Sequence, residues 1–550
     1  MTAAADLVLT NAEVHTLAEP DETYEAVAVR DGRIVRLTTA YDVDFLVGTD
    51  THVVDLGGRP VLPGFVDAHT HLPMVGRRLV HADLAVDSRS KAIDRLRERA
   101  VDLAVEDTGG DRGRGKDGGD PWIQGFGYDE SRWDDDRYLA REELDAVSDS
   151  LPLVAFREDM HVASVNSVAL DHLGLAAGDH GGDVRGEEDA TGVLVEEAVD
   201  AVWEAVAPSK DETRALLTAA QRYANERGVT GVHDMVRRSH APGVYRDLER
   251  EGELSLRVRL NYWSDHLDAL REVGLRTNHG AGLVRVGAIK TYTDGSFGGR
   301  TAKLSEPYAD AETGDRDAEN RGQWVVPPAE LNEIVRDADE AGFQVAAHAI
   351  GDEAVDAVLD AFASVTNTDE GDGGDTSDSD RKRHRIEHVE LADDAAIERM
   401  ADLGVVASVQ PNFLKWAGEG GLYERRLGDR RTETNRYRDM REAGVAVAFG
   451  SDCMPLDPLL GVHHAVNAPH DDQRLSTIEA LRAYTYGGAY AGFDEDRLGT
   501  VAVDNRADLV ALDGSPWAAD RIDDIEPVLT VVDGRVVYDA VSDGDPPSSE

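Results

Sequence analysis

Two histidines two positions apart, in the segment FVDAHTH, are the residues of this sequence best suited to chemistry. His69 and His71 end an apolar, strand-like run. Alternate residues of a β-strand share one face, so both imidazoles can meet a single metal ion. With 18 histidines in 550 residues such a pair also arises by chance. The pair alone is therefore equally consistent with two half-exposed surface histidines.

Four further residues with metal-binding side chains follow later strand-like runs. They are Lys290 in VGAIK, His348 in VAAH, His388 in RIEH and Asp452 in FGSD. A lone His on an apolar run is usually a core residue, and a lone Asp after a strand is usually a helix N-cap. Together with the histidine pair, these four residues stand at the ends of five strands, which favours a shared metal site instead. We predict that one or two divalent ions, with zinc as the expected metal, bind to His69, His71, Lys290, His348, His388 and Asp452.

These residues need a scaffold that brings strand ends together, and the rest of the sequence predicts one. Strand-like runs alternate with amphipathic stretches between about residues 209 and 490, which is typical of βα units. The candidate strands are 60–71, 228–235, 254–263, 283–295, 343–352, 384–390, 405–412 and 445–452. Eight parallel strands predict an α/β fold, the (β/α)₈ TIM barrel, with its chemistry at the C-terminal ends of the strands.

The remaining parts of the chain predict two additions to the barrel at 63–494. β-rich runs with Asp-Gly turns near both termini indicate one composite β-sandwich domain, formed by 1–62 and 495–550. The long interval between the first two barrel strands indicates an insertion subdomain at 75–208. Stretches rich in Gly, Asp and Ser at 107–120, 366–383 and 542–550 are predicted to be flexible loops.

The composition restricts the partners and the environment. Asp and Glu number 108 against 57 Lys and Arg, which gives a net charge of −51 and disfavours nucleic acid and anionic membranes as partners. Only seven of those 57 cations are Lys, which with acids spread along the whole chain is typical of a halophile. The single cysteine, Cys453, excludes an intramolecular disulfide. Without a signal-like or membrane-spanning segment, the protein is expected to be cytoplasmic.

An ordered series of segments resembles one family. The six candidate ligands match the pattern of the amidohydrolase superfamily, and the finer resemblance is to its YtcJ-like branch, typified by N-substituted formamide deformylase. The segments that carry it are WIQGFGYDESRW, HVASVNSVAL, IKTYTDGSFGGRTA, HAIGDEAVDAVLDAF, RIEHVE, VQPNF, FGSD and EALRAYTYGGAYA. The resemblance implies that Lys290 is carboxylated and bridges two metals. An unmodified Lys290 in a salt bridge, beside one metal, is the alternative.

The predicted ligand set indicates a mechanism with three catalytic residues, Asp452, Lys290 and His348. A metal lowers the pKa of water toward about 7, and Asp452 accepts its proton and delivers it to the leaving amine. His348 or His388 helps to polarise the carbonyl of a small-molecule substrate. The sequence contains no G-x-S-x-G motif, which disfavours a serine nucleophile.

Further polar and aromatic residues are candidates for substrate binding. His233, with Asp234, is predicted to end the second strand, whereas Asp294 and Arg300 follow Lys290 closely. In the insertion, Trp122 and His161, with Tyr128 and Trp133, are candidates for a roof over the site. Each group has a structural alternative. His233 and Asp234 would be a structural pair at the barrel rim, Asp294 and Arg300 would belong to an ordinary turn, and the aromatic residues would form the core of the insertion.

Three functional hypotheses follow. The leading one is a metal-dependent hydrolase of a C–N bond in an amide, a formamide or a cyclic amide. The second is a cyclic amidohydrolase or a heterocycle deaminase that uses the same metals. The third is a catalytically silent metal-binding barrel with a regulatory role, against which the intact set of six residues argues. The partners expected are a small-molecule substrate and, in a homodimer, a second copy of the chain.

Overall fold

The computed structural model describes residues 4–107, 121–130, 133–135, 137–158, 160, 162–179, 184–185, 191–195, 197–311, 320–366 and 382–541. The three predicted flexible loops, at 107–120, 366–383 and 542–550, lie almost entirely outside the described residues. His161 also lies outside them.

Strands from both ends of the chain join in one mixed sheet, in the order β21-β20-β19-β5-β1-β3-β4, with β2 paired to β1. Numbered along the chain, its strands are β1 Leu7–His15, β2 Thr23–Tyr24, β3 Ala26–Arg30, β4 Arg33–Thr38, β5 His52–Pro63, β19 Leu509–Leu512, β20 Pro527–Val532 and β21 Arg535–Asp539. Val14, Val27, Leu56, Leu509 and Val531 share its buried core. Both termini thus contribute strands to one sheet, as predicted, whereas the sandwich arrangement and the bounds 1–62 and 495–550 stay predictions.

Two hairpins of this sheet form at the Asp-Gly pairs that the sequence indicated. Asp31 and Gly32, between β3 and β4, have φ of 52° and 73°, and Asp533 and Gly534, between β20 and β21, have φ of 50° and 77°. Positive φ at both central residues defines the type I′ turn, whose twist matches that of paired strands. Glycine and aspartate tolerate this conformation, so the turn chemistry determines where the chain reverses.

The second large sheet is the predicted parallel barrel, in the order β18-β17-β16-β15-β14-β13-β12-β6. Its strands are β6 Phe65–Thr70, β12 Val229–Val236, β13 Arg257–Trp263, β14 Val284–Tyr292, β15 Val345–Ala349, β16 Arg385–His388, β17 Val406–Val409 and β18 Ala446–Phe449. All eight predicted strands are present. The first was wrong in its extent, because the run 60–71 leaves the terminal sheet at Pro63 and enters the barrel at Phe65.

Helices connect the strands of this sheet and cover it. They are α8 Ala241–Glu251, α9 Leu267–Glu272, α10 Pro328–Glu340, α11 Asp352–Thr366, α12 Asp394–Leu403, α13 Leu422–Leu427, α14 Tyr437–Glu442, α15 Pro458–Val466, α16 Thr477–Arg482 and α17 Gly488–Ala491, and the terminal sheet adds α1 Ala40–Val43. Helix α12 illustrates why they form. The Asp393 side chain accepts the N–H of Ala396 at its start, and Gly404 ends it with a φ of 65°.

The chain between the first two barrel strands forms a compact unit of its own, Leu72–Ala220, compared with the predicted insertion at 75–208. Its sheet has the order β11-β10-β9-β8-β7. The strands are β7 Ala82–Asp83, β8 Ile123–Tyr128, β9 Leu153–Arg157, β10 Val162–Val165 and β11 Val193–Val195, and the helices that begin in it are α2 Leu72–Val80, α3 Arg89–Asp107, α4 Arg141–Asp145, α5 Ser167–Leu173, α6 Glu197–Ala205 and α7 Lys210–Glu226. Across the described part of the chain, no helix is long and apolar enough to cross a membrane.

The net charge of −51 leads to a first testable prediction, that the fold depends on salt. Like charges repel over a Debye length of about 10 Å at 0.1 M salt but only about 3 Å at 1 M. We expect the melting temperature to fall when molar KCl is replaced by dilute buffer. Equal melting temperatures in the two solutions would contradict the halophilic interpretation of the acidic surface.

Candidate metal centre

The candidate site begins where the last barrel strand meets the first. The Asp67 carboxylate accepts the backbone N–H groups of His69 at 3.1 Å and Ser451 at 3.0 Å. The N–H of Asp452 donates to the carbonyl of His69 at 2.8 Å. A Cβ atom on Gly450 would lie 2.4 Å from the His69 nitrogen. The glycine of the FGSD motif therefore allows the close approach that brings Asp452 beside the histidine pair.

This close approach predicts that Gly450→Ala is destabilising. Overpacking a rigid backbone contact typically costs about 1–3 kcal/mol, and the nearest atoms here belong to the His69 backbone and Cβ. Gly243→Ala is the matched control, because Gly243 lies in α8 and a methyl group there would have no neighbour within 4 Å. Alanine at that position gains helix propensity of about 0.5–1 kcal/mol. Denaturant midpoints should therefore move in opposite directions, and a Gly450→Ala midpoint equal to that of the parent would contradict the argument.

Three donor atoms at this junction have the spacing of ligands around one ion. His69 Nε2, His71 Nε2 and an Asp452 oxygen all lie within 4.8 Å of one another. Asp452 Oδ1 is 3.6 Å from His69 Nε2 and 3.4 Å from His71 Nε2. Ligands bound tetrahedrally at about 2.0–2.2 Å from Zn²⁺ lie roughly 3.3–3.6 Å apart. The three atoms thus surround a volume of the right size for a divalent cation.

The two later histidines continue this cluster. The ring centroids of His69 and His388 are 5.0 Å apart, and those of His388 and His348 are 4.5 Å apart. Lys290 is fully buried, and it interacts electrostatically with Asp452 and with the histidines. The structure therefore brings together the side chains of all six residues that the sequence singled out.

Hydrogen bonds determine which nitrogen of each histidine ring is available to bind a metal. Nδ1 of His69 donates to Glu387 Oε2 at 2.6 Å, and Nδ1 of His388 donates to Gln410 Oε1 at 2.6 Å. In both rings this leaves Nε2 with its lone pair. His348 is reversed, since its Nε2 donates to the Gly295 carbonyl at 3.0 Å while its buried Nδ1 has no partner among the residues that the structure describes. Such outer contacts are what orient histidine ligands in metal sites.

The electrostatic environment keeps these rings neutral. Burial, followed by the nearby Lys290, lowers the pKa of His71 to about 4 and that of His348 to about 3. Burial likewise lowers the pKa of His69 and of His388 well below the usual value. Metal binding requires the unprotonated imidazole. The four histidines are therefore in the ligand-competent form at neutral pH.

The pKa values of the two remaining members of the cluster, Lys290 and Asp452, are shifted toward each other. Burial lowers the pKa of Lys290 to about 8, against the opposing effect of Glu387 and Asp452. Burial also raises the pKa of Asp452 to about 7, against the opposing effect of Lys290. The Lys290 Nζ atom is buried and has no hydrogen-bond partner in the part of the chain that the structure describes. The lowered pKa means that this amine loses its proton readily, and its buried nitrogen lacks a hydrogen bond. Both properties suit a side chain that binds a metal or becomes carboxylated.

Backbone strain marks the same place. His388 has a φ of 77° and Asp452 a φ of 48°, both in the left-handed region. For residues other than glycine such conformations cost of order 1–3 kcal/mol, and they tend to cluster at functional sites. Here the strain lies at two strand ends that carry candidate ligands.

A buried ion pair lies behind the cluster, and sequence reasoning missed it. Arg385 donates to both oxygens of Glu387, at 2.8 and 3.1 Å, and also to Ser408 and to the carbonyl of Ala68. Glu387 in turn holds His69. The available signal was the R-x-E spacing in RIEH, because alternate residues of a buried strand share a face.

Aromatic residues missed by the sequence reasoning stand beside the histidines. The ring of Tyr292 is 4.5 Å from His348, and the ring of Trp263 is 6.3 Å from His71 and 5.3 Å from Tyr292. Both residues end barrel strands, β14 and β13. That strand-end position was the signal that could have found them.

Two of the predicted substrate-binding residues, Asp294 and Arg300, form contacts that stabilise loops. The buried Asp294 carboxylate accepts the backbone N–H groups of Lys303, Ile350 and Gly351 at 2.8–3.1 Å. Arg300 forms a two-point ion pair with Asp310, at 3.0 and 2.9 Å. Both carry out structural tasks in the connection after β14.

The other candidates lie elsewhere. The strand containing His233 continues to Val236, so the prediction that His233 and Asp234 end it was wrong. His233 accepts from Arg385 at 2.7 Å, and Asp234 accepts from the hydroxyl of Tyr245 on α8. Trp122 belongs to the apolar core of its own unit, with its ring 5.5 Å from that of His172.

Comparison with known proteins agrees with this geometry. The profile of the family described as "Amidohydrolase family" matches residues 52–538. The putative amidohydrolase YtcJ of Bacillus subtilis is 30% identical over 557 residues, covering 96% of this chain and 98% of that protein. N-substituted formamide deformylase of Arthrobacter pascens is 27% identical and covers 98% and 99%. The crystal structure of an uncharacterized metal-dependent hydrolase from Pyrococcus horikoshii OT3 is 28% identical, with a TM-score of 0.76, covering 94% and 99%.

Proposed function

The chain belongs to the amidohydrolase family, and on that premise we propose that it hydrolyses a C–N bond in an amide or N-substituted formamide with the help of a divalent metal. The observation that carries the proposal is the convergence of His69 Nε2, His71 Nε2 and Asp452 at ligand spacing. The similarity to N-substituted formamide deformylase supports the class of substrate.

The donor set fits a metal, because two of its buried nitrogens have no hydrogen-bond partner among the described residues. These atoms are His348 Nδ1 and Lys290 Nζ. An unpaired buried polar group is costly, and neutral imidazoles with a carboxylate are ligands that Zn²⁺ accepts. We assign the binding of one or two ions, zinc first, to His69, His71, Lys290, His348, His388 and Asp452. When bound, the metal supplies Lewis acidity, which lowers the pKa of water toward about 7 and polarises a carbonyl.

Asp452 carries the proton in this proposal. Its carboxylate accepts the proton of the attacking water as the C–O bond forms. It then gives that proton to the nitrogen as the C–N bond breaks, so the products are a carboxylic acid and an amine. Burial supports this double role, because it brings the pKa of Asp452 near the working pH. His348 completes the catalytic set by offering its Nδ1 lone pair to the metal that would polarise the carbonyl.

Lys290 has the third catalytic role, as a carbamate formed with carbon dioxide. Its burial without a hydrogen-bond partner among the described residues supports a modified side chain, since a carbamate replaces an unsatisfied amine with two acceptor oxygens. Intact mass spectrometry under non-denaturing conditions distinguishes the forms by the mass of one carbon dioxide. An unmodified chain in an active, metal-loaded sample supports the alternative in which Lys290 pairs with Asp452 beside one ion.

A substrate panel tests the proposed reaction. Purified protein loaded with zinc, in high salt, is supplied with N-substituted formamides, N-acyl amino acids and hydantoins, and the released amine or acid is measured. We expect turnover within the formamide and amide groups. Turnover of hydantoins alone would favour the cyclic amidohydrolase hypothesis, and a metal-loaded protein inactive on all three classes would contradict the proposal.

A further inference from the structure

A second feature lies at the opposite, N-terminal end of the barrel. A cavity of about 20 Å³ is lined there by residues at or near the starts of four neighbouring strands: Val66 of β6, Thr230 of β12, Arg257 of β13 and Arg285 of β14. Chemistry in such barrels occurs at the C-terminal end, so this cavity is separate from the candidate metal centre.

The cavity wall is cationic in a strongly anionic protein. Four arginines line it, Arg257, Arg259, Arg285 and Arg497, against two aspartates, Asp494 and Asp508. Arg257 is satisfied by Asp508, at 2.6 and 2.9 Å, and by Asp533 at 2.8 Å. The other three arginines are not matched in this way.

Among the described residues, Asp494 is the one carboxylate that contacts those three arginines, and Arg259 also donates to Asn278 Oδ1 at 2.8 Å. Arg259 contacts its Oδ2 at 2.7 Å, and Arg497 contacts its Oδ1 at 2.7 Å. Arg285 reaches Oδ1 at only 3.4 Å, and its buried Nε has no acceptor among the described residues. One carboxylate thus faces three guanidinium groups, which leaves positive charge and a hydrogen-bond donor uncompensated in the wall.

His233 adds another donor to this wall. It lines the cavity, and its Nδ1 accepts from Arg385. Burial lowers the pKa of His233, so the ring is neutral and its proton sits on Nε2. The burial of Arg285, followed by its proximity to Arg497, also lowers the pKa of that guanidinium.

We propose that this cavity binds a single halide ion, chloride under ordinary conditions. The wall offers N–H donors and excess positive charge, because it contains two fewer aspartates than arginines. A volume of about 20 Å³ accommodates one particle near the size of a water molecule, for which about 10–15 Å³ suffices, and this suits a monatomic anion.

Halide binding has a consequence for stability. A ligand that binds only the folded state stabilises it in proportion to the logarithm of its concentration over its Kd. The anion would link β13, β14 and the segment after α17, since Arg259, Arg285 and Arg497 come from those three parts. Salt should therefore act on this protein through anion identity as well as through ionic strength.

Bromide crystallography tests the site without any substitution. Crystals are grown or soaked in sodium bromide, and data are collected at the bromine absorption edge. We expect an anomalous peak within hydrogen-bond distance of Arg285 Nε and of Arg497. A cavity without a bromine peak, occupied by water or by nothing, would overturn the proposal.

Melting temperatures test it in solution. Potassium chloride is replaced by potassium glutamate at equal concentration, which keeps the ionic strength but removes the small anion. We expect chloride to raise the melting temperature by about 2 °C or more relative to glutamate. Arg285→Gln should lose this difference, whereas Arg336→Gln, on the exposed side of α10, should keep it. Equal melting temperatures for the parent protein in the two salts would overturn the proposal.

Discussion

Asp452→Asn is expected to lower kcat by about 10²- to 10⁴-fold on any amide that the enzyme cleaves. Asparagine has nearly the same shape as aspartate but cannot exchange the proton at neutral pH. Hydrolysis needs that exchange twice, once at the water and once at the departing nitrogen. The measurement is kcat with the metal content determined on the same sample, because loss of a ligand that empties the site would produce the same fall in rate.

A matched substitution lies five residues further along the chain. Asp457 is the N-cap of α15, where its side chain accepts the N–H of Leu460 at 3.1 Å, and asparagine caps helices equally well. Asp457→Asn should therefore retain the parent kcat. A metal-replete Asp452→Asn enzyme with near-parental kcat would show that another group carries the proton.

The same role predicts the pH dependence. Asp452 accepts a proton only as the carboxylate, so activity must fall as the pH falls through its pKa. Burial raises that pKa to about 7, and a divalent cation beside the carboxylate lowers it again. We expect a one-proton acid limb below pH 7 in the kcat profile of the parent. The residual activity of Asp452→Asn should lack it, and an identical limb in both proteins would assign the titration to another residue.

Glu387→Gln is expected to have the second-largest effect, on stability and on metal affinity together. Glu387 is fully buried and pairs with the buried Arg385 at 2.8 Å. Removing one partner of a buried ion pair costs about 3–5 kcal/mol, because the remaining charge is left uncompensated. The substitution also weakens the contact that orients His69, and such outer contacts are worth about 10- to 100-fold in metal affinity. Denaturant unfolding and metal titration measure the two effects.

Two comparisons separate these effects. Glu398→Gln, on the exposed face of α12, should change neither quantity. Adding Arg385→Met to Glu387→Gln removes the unpaired charge, so we expect it to recover part of the stability but none of the metal affinity. Parental metal affinity in Glu387→Gln would show that His69 does not depend on the carboxylate.

The barrel could be predicted because several of its strands are apolar runs with a polar residue near the C-terminal end. Lys290 and His348 lie at the ends of such runs and Asp452 follows one, so strand ends and candidate ligands were found together. The boundary at Gly64 could not be predicted, since apolar residues continue on both sides of the point where the chain changes sheets. The local sequence pattern indicates that these residues are buried, but it does not indicate which sheet buries them.

The supporting residues were harder to predict for a different reason. Glu387 and Arg385 are charged, and a charge in a strand normally indicates a solvent-exposed position. They are buried because each neutralises the other and because Ser408 on the neighbouring strand β17 and Ala68 on β6 accept further hydrogen bonds from Arg385. The tautomer of His348 likewise depends on the Gly295 carbonyl, which is distant in sequence. Contacts between strands decide both features.

The central claim is that a divalent metal acts at the junction of the first and last barrel strands. Crystals of the active protein, measured at the absorption edge of the bound metal, test it most directly. We expect an anomalous peak about 2.0–2.2 Å from His69 Nε2, His71 Nε2 and an Asp452 oxygen. An active enzyme whose crystals have no metal peak among these atoms would contradict it.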